Sequence, residues 1–219
     1  MSARAVRSRP AVLWMHGFRA DALAHAKELE RCAARGFVAV GIDAVDHGAR
    51  GGPQLAERLG RSADGALPVM LEIVEATVAE LPAVIDVLAA EYWVDRGRVS
   101  LVGISMGAFL AYRAITSGLP LRSVVALLGS PEWPGNTSAH HSLPAFNAVA
   151  LLSITAEHDV SVPPPAVHRL HARLREQTGP APVEQHVVLQ GAGHLTNAAQ
   201  WAEAMRASMA WLKRHGGLR

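Results

Sequence analysis

The chain has 219 residues, of which 50% are hydrophobic and 18% are charged, so its composition excludes an intrinsically disordered protein and favours a folded globular one. The formal net charge is only +2 and the basic residues are scattered, which argues against nucleic-acid binding. The single cysteine, Cys32, excludes an intramolecular disulfide, and no apolar run is long enough to span a bilayer, so we expect a cytoplasmic protein without membrane contact.

Short apolar runs alternate along the chain with longer amphipathic stretches. The runs predict six buried strands, at residues 11–15, 37–42, 99–103, 124–128, 149–155 and 183–189. The longer stretches predict helices at residues 22–34, 68–90, 106–116 and 165–177, and a last helix from about residue 197. The Gly-rich segment 44–67 is expected to be a loop, and Pro82 is expected to kink or split its helix.

This alternation of strands and helices predicts an α/β fold. Continuously apolar strands are typical of a mostly parallel sheet, here of about six strands, with helices on both faces. We expect a single domain over residues 1–219, with residues 1–10 as a flexible tail. In such sheets the functional residues follow the carboxyl ends of the strands.

A candidate nucleophile, Ser105, stands at a predicted strand-to-helix junction. Residues 103–107 read Gly-Ile-Ser-Met-Gly, a G-x-S-x-G pattern typical of a nucleophile elbow. A serine projected from so tight a turn needs small residues two positions away on each side, and glycine supplies them. The alternative interpretation is a Gly-Ser turn without chemistry.

Serine is a weak nucleophile and needs a base and a carboxylate behind it. His194 follows the last predicted strand, between small neighbours, and is our candidate base among 11 histidines. Asp159 follows the fifth strand and is our candidate carboxylate. The pattern of an acid, a short gap and then Val-Pro, in residues 159–163, favours it over the neighbouring acids. Glu157 and Glu132 remain alternatives for that role.

A tetrahedral intermediate also needs two backbone N–H donors, an oxyanion hole. Met106 directly follows the candidate nucleophile, and Phe18 follows the first strand in His16-Gly17-Phe18. We expect their amides to form the oxyanion hole. The alternative for Phe18 is an ordinary turn at a strand end.

Taken together, these motifs resemble the α/β-hydrolase superfamily. They comprise, in chain order, residues 16–18, 43–48, 103–107, 159–163 and 193–194, and they span nearly the whole chain. The order of serine, acid and histidine also matches that superfamily. The similarity is closest to small carboxylesterases related to dienelactone hydrolase, which implies the α/β-hydrolase fold and a serine esterase. A serine stands where dienelactone hydrolase has a cysteine, so simple ester hydrolysis is expected rather than the dienelactone reaction.

The sequence departs from this family in two further ways. Members usually begin with two more strands, and only ten residues precede Ala11, so the N-terminal strand hairpin is expected to be missing. A sheet edge left exposed in this way would favour a homodimer. The cap after the fourth strand is reduced to residues 129–147, which predicts an open pocket with Trp133, His140 and Phe146 as candidate lining residues.

Other polar clusters carry no predicted site. Asp43, Asp46 and His47 are the residue types of a metal site, but they are better explained as a turn after the second strand, because no third ligand pair has a recognisable spacing. Phosphate-binding and dinucleotide-binding motifs are absent from the sequence. We therefore expect neither a metal nor a cofactor.

The sequence thus predicts a serine hydrolase that cleaves a small carboxylic ester through an acyl-enzyme intermediate. The same three residues would also serve a thioesterase, peptidase, lactonase or perhydrolase. A non-enzymatic binding protein on the same scaffold is the remaining alternative, because a fold does not determine a function.

Overall fold

The computed structural model describes residues 8–177 and 183–218. Its strands are β1 (Arg9–Met15), β2 (Val38–Ile42), β3 (Val94–Ile104), β4 (Ser123–Leu127), β5 (Ala150–Ala156) and β6 (Glu184–Leu189). Its helices are α1 (Ala26–Ala33), α2 (Pro53–Arg61), α3 (Ala66–Tyr92), α4 (Met106–Thr116), α5 (Pro165–Arg175) and α6 (Ala198–His215). None of the helices in these ranges is both long enough and apolar enough to cross a bilayer.

The six strands form one sheet in the order β2-β1-β3-β4-β5-β6, and all five pairings are parallel. The predicted six-stranded parallel sheet is therefore confirmed. The chain leaves β1 toward β2 on one side and returns to β3 on the other. This reversal opens a crevice at the carboxyl ends of β1 and β3, which is where open α/β sheets bind their ligands.

Helices cover both faces of the sheet, as predicted. Buried side chains of α3, α4 and α5 form one core with the sheet, and buried side chains of α1 and α6 form the other. Within the second core Cys32 is completely buried, and burial raises the pKa of its thiol to about 11. A thiol in this environment stays protonated and inert at neutral pH.

Three details differ from the expectations. The segment 44–67 is not all loop, because α2 lies within it; Leu55 and Leu59, four residues apart, pack on the core and explain the helix. α3 is not split at Pro82, whose side chain is exposed. Arg9 and Pro10 belong to β1, while residues 1–7 of the expected tail lie outside the described residues.

Candidate active site

Ser105 lies at the sharp turn between β3 and α4. Its backbone has φ 53° and ψ −114°, a positive-φ conformation that costs a residue with a side chain about 1–3 kcal/mol. Its amide donates a hydrogen bond to the Leu127 carbonyl of the neighbouring strand at 2.8 Å, which holds the turn against the sheet. A Cβ at residue 103 would lie 1.9 Å from the Gly107 carbonyl oxygen, and a Cβ at residue 107 would lie 2.3 Å from the Met15 carbonyl oxygen. Both glycines of the motif are therefore required by packing.

The side chains of Ser105, His194 and Asp159 form a continuous hydrogen-bonded chain. Ser105 Oγ lies 3.0 Å from Nε2 of His194, and Nδ1 of His194 lies 2.7 Å from Oδ2 of Asp159. A carboxylate only accepts hydrogen bonds, so Nδ1 carries the proton and donates it to Asp159. Nε2 is then free to accept from the Ser105 hydroxyl. The histidine is thus held in the tautomer that a base for this serine requires.

Asp159 is fixed by its own loop. The residue is only 4% exposed, and its Oδ1 accepts hydrogen bonds from the amides of Ser161 at 2.9 Å and Val162 at 2.8 Å. Its other oxygen is left for His194. A buried carboxylate with all of these partners is oriented before any substrate binds.

The alternative carboxylates hold other parts of the structure. Glu157 accepts a hydrogen bond from the Gly191 amide at 2.8 Å and so anchors the loop that carries His194. Glu132 forms a two-fold hydrogen-bonded pair with Arg169. Among the residues that the structure describes, neither glutamate forms a hydrogen bond or an ion pair with the His194 ring.

The expected oxyanion donors belong to two segments next to Ser105. A Cβ at residue 17 would lie 3.6 Å from Ser105 Cβ, so the loop carrying Phe18 passes directly beside the serine. Met106 is the first residue of α4, where backbone N–H groups point toward the site and have no partner within the helix. Over residues 8–177 and 183–218, neither the Phe18 amide nor the Met106 amide donates to another group of the protein. Both remain available to an incoming oxygen.

His16 supports this loop, a role that sequence reasoning missed. The residue is 1% exposed, its Nδ1 donates to the Gly17 carbonyl at 2.8 Å, and its Nε2 accepts from the Ala44 amide at 3.0 Å. Burial lowers the pKa of His16, which keeps the ring neutral in this role. The histidine therefore ties the Phe18 loop to the segment after β2. The sequence feature that could have indicated this supporting role is a histidine directly before Gly17 at the end of a strand.

The segment after β2 forms a turn around Asp43. Its carboxylate accepts hydrogen bonds from the amides of Ala22 and Ala49, both at 2.8 Å. Burial raises the pKa of Asp43, but these hydrogen bonds together with the nearby His16 and Arg50 lower it on balance. His47 packs its ring against Phe18, with centroids 5.4 Å apart. No group of three His, Cys, Asp or Glu residues in the described ranges has the arrangement of a metal site.

A cavity of about 340 Å³ opens next to the first turn of α4, and Trp133 is among its lining residues. The other two candidate pocket residues are corrected by the structure. Phe146 is 0% exposed and belongs to the core, so no substrate can reach it. His140 does not line this cavity; its Nδ1 lies 2.7 Å from Ser138 Oγ within the loop after β4.

The sheet, the elbow and the order of the site residues define an α/β-hydrolase fold, and solved structures of that fold superimpose on nearly the whole chain. TT1662 from Thermus thermophilus has a TM-score of 0.78 at 22% identity, covering 98% of this chain and 92% of that protein. A puromycin-hydrolyzing peptidase from Mycobacterium tuberculosis has a TM-score of 0.76 at 17% identity, covering all of this chain (100%) and 36% of that protein. At these identities the likeness establishes the fold.

The model of the dienelactone hydrolase family matches residues 2–215, and the chain belongs to that family. It is also similar to "Putative esterase YitV" from Bacillus subtilis (strain 168), with 29% identity over 127 residues. That match covers 58% of this chain and 47% of the length of the relative. The family whose model matches is a family of hydrolases.

Proposed function

We propose that this protein is a serine hydrolase that cleaves a small carboxylic ester through a covalent acyl-enzyme. The observation that carries the proposal is the hydrogen-bonded chain from Ser105 through His194 to Asp159. In the described residues the amides of Phe18 and Met106, the proposed oxyanion donors, have no backbone partner. Family membership and the esterase relative agree with an ester as substrate.

Acylation begins when Ser105 Oγ attacks the ester carbonyl carbon. His194 Nε2 takes the hydroxyl proton as the new carbon–oxygen bond forms, and the carbonyl electrons move onto the oxygen. The amides of Phe18 and Met106 donate hydrogen bonds to that oxyanion. Donors fixed in advance at the place where charge develops supply much of the rate enhancement in such reactions.

The tetrahedral intermediate then collapses and expels the alcohol. His194 gives its proton to the leaving oxygen, and the acyl group stays on Ser105. Water takes the place of the alcohol, loses a proton to His194 and attacks the acyl carbon. The acid leaves, and the serine recovers its proton. Throughout, Asp159 stays ionised, holds the imidazole tautomer and stabilises the imidazolium.

Labelling with a fluorophosphonate probe tests the proposal, because the probe phosphonylates an activated serine. We expect stoichiometric modification, mapped by mass spectrometry to the peptide that carries Ser105, and hydrolysis of p-nitrophenyl acetate that disappears in parallel. The Ser105→Ala variant serves as the matched control and should stay unlabelled.

Two outcomes would overturn this assignment. A folded wild-type protein that is neither labelled nor active on any ester would instead be a binding protein. Labelling at another serine would show that the nucleophile is that serine and not Ser105. A panel of thioester, lactone, peptide and ester substrates ranks the leaving groups that this machinery accepts.

A further inference from the structure

The cavity beside α4 is built from segments that also hold the site. Phe109 lines it one helical turn after Ser105, and its amide donates to the Ser105 carbonyl at 3.2 Å. Val162 lines it too, and its amide bonds to Asp159 at 2.8 Å. One turn of helix rises about 5.4 Å, which puts an ester bound at Ser105 within about one helical turn of the cavity lining.

Rigid apolar side chains shape the cavity. Phe109 and Trp133 are 5% and 7% exposed, and their ring centroids lie 5.9 Å apart. Trp133 is held at both ends, because its amide donates to Ser138 Oγ at 2.8 Å and its indole N–H to Thr137 Oγ1 at 3.3 Å. Pro163 and Ala166 continue the apolar lining at the start of α5. Walls of this kind accept apolar groups without needing to rearrange.

The charges at the cavity cancel each other. Among its described lining residues only Glu132 and Arg169 are charged. Arg169 Nε donates to Oε1 of Glu132 at 3.0 Å, and its Nη2 donates to Oε2 at 2.6 Å. An anionic group on a substrate would have to compete with Glu132 for this guanidinium, and a bidentate pair is the strongest form of such a contact.

We infer that this cavity selects esters whose longer arm is apolar and uncharged, an inference that rests on the proposed function. Its volume of about 340 Å³ exceeds the roughly 150 Å³ at which a protein cavity holds benzene, so it has room for a ring with a short extension or for a medium alkyl chain. Each methylene buried there improves kcat/KM by up to about fourfold, until the cavity is full.

A chain-length series tests this inference. The acyl arm is varied in p-nitrophenyl esters from acetate through butyrate and hexanoate to decanoate, and the alcohol arm is varied in acetate esters followed by pH-stat. We expect kcat/KM to rise and then level off or fall in one of the two series. Ala166→Phe, which fills the cavity, should move that optimum to shorter chains.

Ala145→Phe is the matched control for cavity filling. Ala145 lines a separate apolar cavity together with Leu119 and Leu121, in the segments that precede β4 and β5, away from the carboxyl ends of the strands. The same substitution there should leave the chain-length optimum unchanged. An optimum that shifts equally in both variants would overturn the inference.

The charge of the substrate gives a second, independent test. Wild-type protein should prefer p-nitrophenyl pentanoate over the mono-p-nitrophenyl ester of succinate, which carries a carboxylate at similar length, by at least about tenfold in kcat/KM. Glu132→Gln leaves Arg169 without its counter-charge, so this preference should shrink severalfold. Circular dichroism verifies that each variant is folded.

Fluorophosphonate labelling separates failure of this inference from failure of the proposed function. Protein that is labelled at Ser105 but shows a flat chain-length profile, or prefers the succinate ester, retains the proposed function and refutes the cavity assignment. Folded protein without labelling and without ester turnover refutes both.

Discussion

The protein contains a second serine–histidine–carboxylate chain, buried beneath α5. Ser153 Oγ lies 2.8 Å from Nε2 of His171, whose Nδ1 is hydrogen-bonded to Glu184. The order of atoms is the same as in the candidate active site, from hydroxyl to Nε2 and from Nδ1 to carboxylate. The two regions therefore have the same order of hydrogen-bonded groups and differ in their surroundings.

Access and backbone geometry separate the two chains. Ser153 and His171 are both 0% exposed, whereas the side chain of His194 is 22% exposed. Ser153 lies inside β5, where its hydroxyl also accepts a hydrogen bond from the Tyr112 hydroxyl at 2.8 Å. Unlike Ser105, it lies within a regular strand and not at a strand-to-helix turn. Under the proposed function, three groups in hydrogen-bonding order are not sufficient for catalysis, and the turn at Ser105 and its opening to solvent are also needed.

The largest expected effect comes from removing the two serines in turn. Ser105→Ala should lower kcat/KM for p-nitrophenyl butyrate by at least about ten-thousand-fold, because the nucleophile is lost. Ser153→Ala removes a hydroxyl that no substrate reaches and should leave kcat/KM close to the wild-type value. Steady-state kinetics on both folded variants measures the contrast, and comparable losses would contradict it.

The next largest expected effect on the rate comes from a matched pair of carboxylate-to-amide substitutions. Asp159→Asn should reduce kcat about a thousand- to ten-thousand-fold, because an amide in this position favours the wrong imidazole tautomer. Glu184→Gln makes the same change beside the other histidine and should alter the rate little. If Asp159→Asn retained most of the wild-type rate, Asp159 would not be the carboxylate that serves His194.

The buried chain continues into a cluster of imidazoles around His186. Its Nε2 lies 2.8 Å from Thr155 Oγ1, and its ring stacks on His171 with centroids 5.2 Å apart. The titratable and charged groups that surround it are His168, His171, Arg175 and Glu184. Burial, and then the neighbouring imidazoles, lower the pKa of His186 from 6.5 to about 4.

This cluster should make stability depend on pH. Between pH 6.5 and about pH 4 the unfolded chain binds a proton at His186 that the folded protein does not bind, so the free energy of unfolding falls as the pH falls through this range. The loss from this one group is at most about 3 kcal/mol. Urea unfolding at a series of pH values measures it. His186→Gln should flatten the dependence, Ser105→Ala should keep it, and equal slopes for His186→Gln and wild type would contradict the assignment.

The smallest expected effect concerns stability at neutral pH. Ser153→Ala leaves the Tyr112 hydroxyl and the Nε2 of His171 buried without a partner, which should lower the free energy of unfolding by about 2 kcal/mol. Ser105→Ala, at a partly exposed position, should change it by less than about 0.5 kcal/mol. Chemical denaturation in parallel compares them, and the comparison fails if both variants unfold at the same denaturant concentration.

Much of the architecture could be predicted from local patterns. The apolar runs predicted all six strands, and G-x-S-x-G predicted the turn at Ser105, because the steric demand of that turn falls on residues within two positions of it. Local patterns gave a wrong prediction for the Gly-rich segment 44–67, which was expected to be a loop. Helix α2 forms there because Leu55 and Leu59 pack against the core.

Predictions about the pocket depended on longer-range information. Trp133 and Phe146 are aromatic residues of the same short cap and both pack in the core, yet Trp133 also lines the cavity while Phe146 is completely buried. Their sequence neighbourhoods do not distinguish them. The packing of α4 and α5 against the cap decides which of the two borders the cavity.

The sequence by itself determined the order of strands and helices and the positions of a serine, an acid and a histidine after successive strands, since these follow from hydrophobic periodicity and local sterics. Only the tertiary structure decided that Asp159 contacts His194 while Glu157 and Glu132 hold other segments. It also showed that a second hydrogen-bonded chain is closed to solvent. Hydrogen-bond partners and solvent access arise from contacts between residues far apart in the chain, which no local pattern encodes.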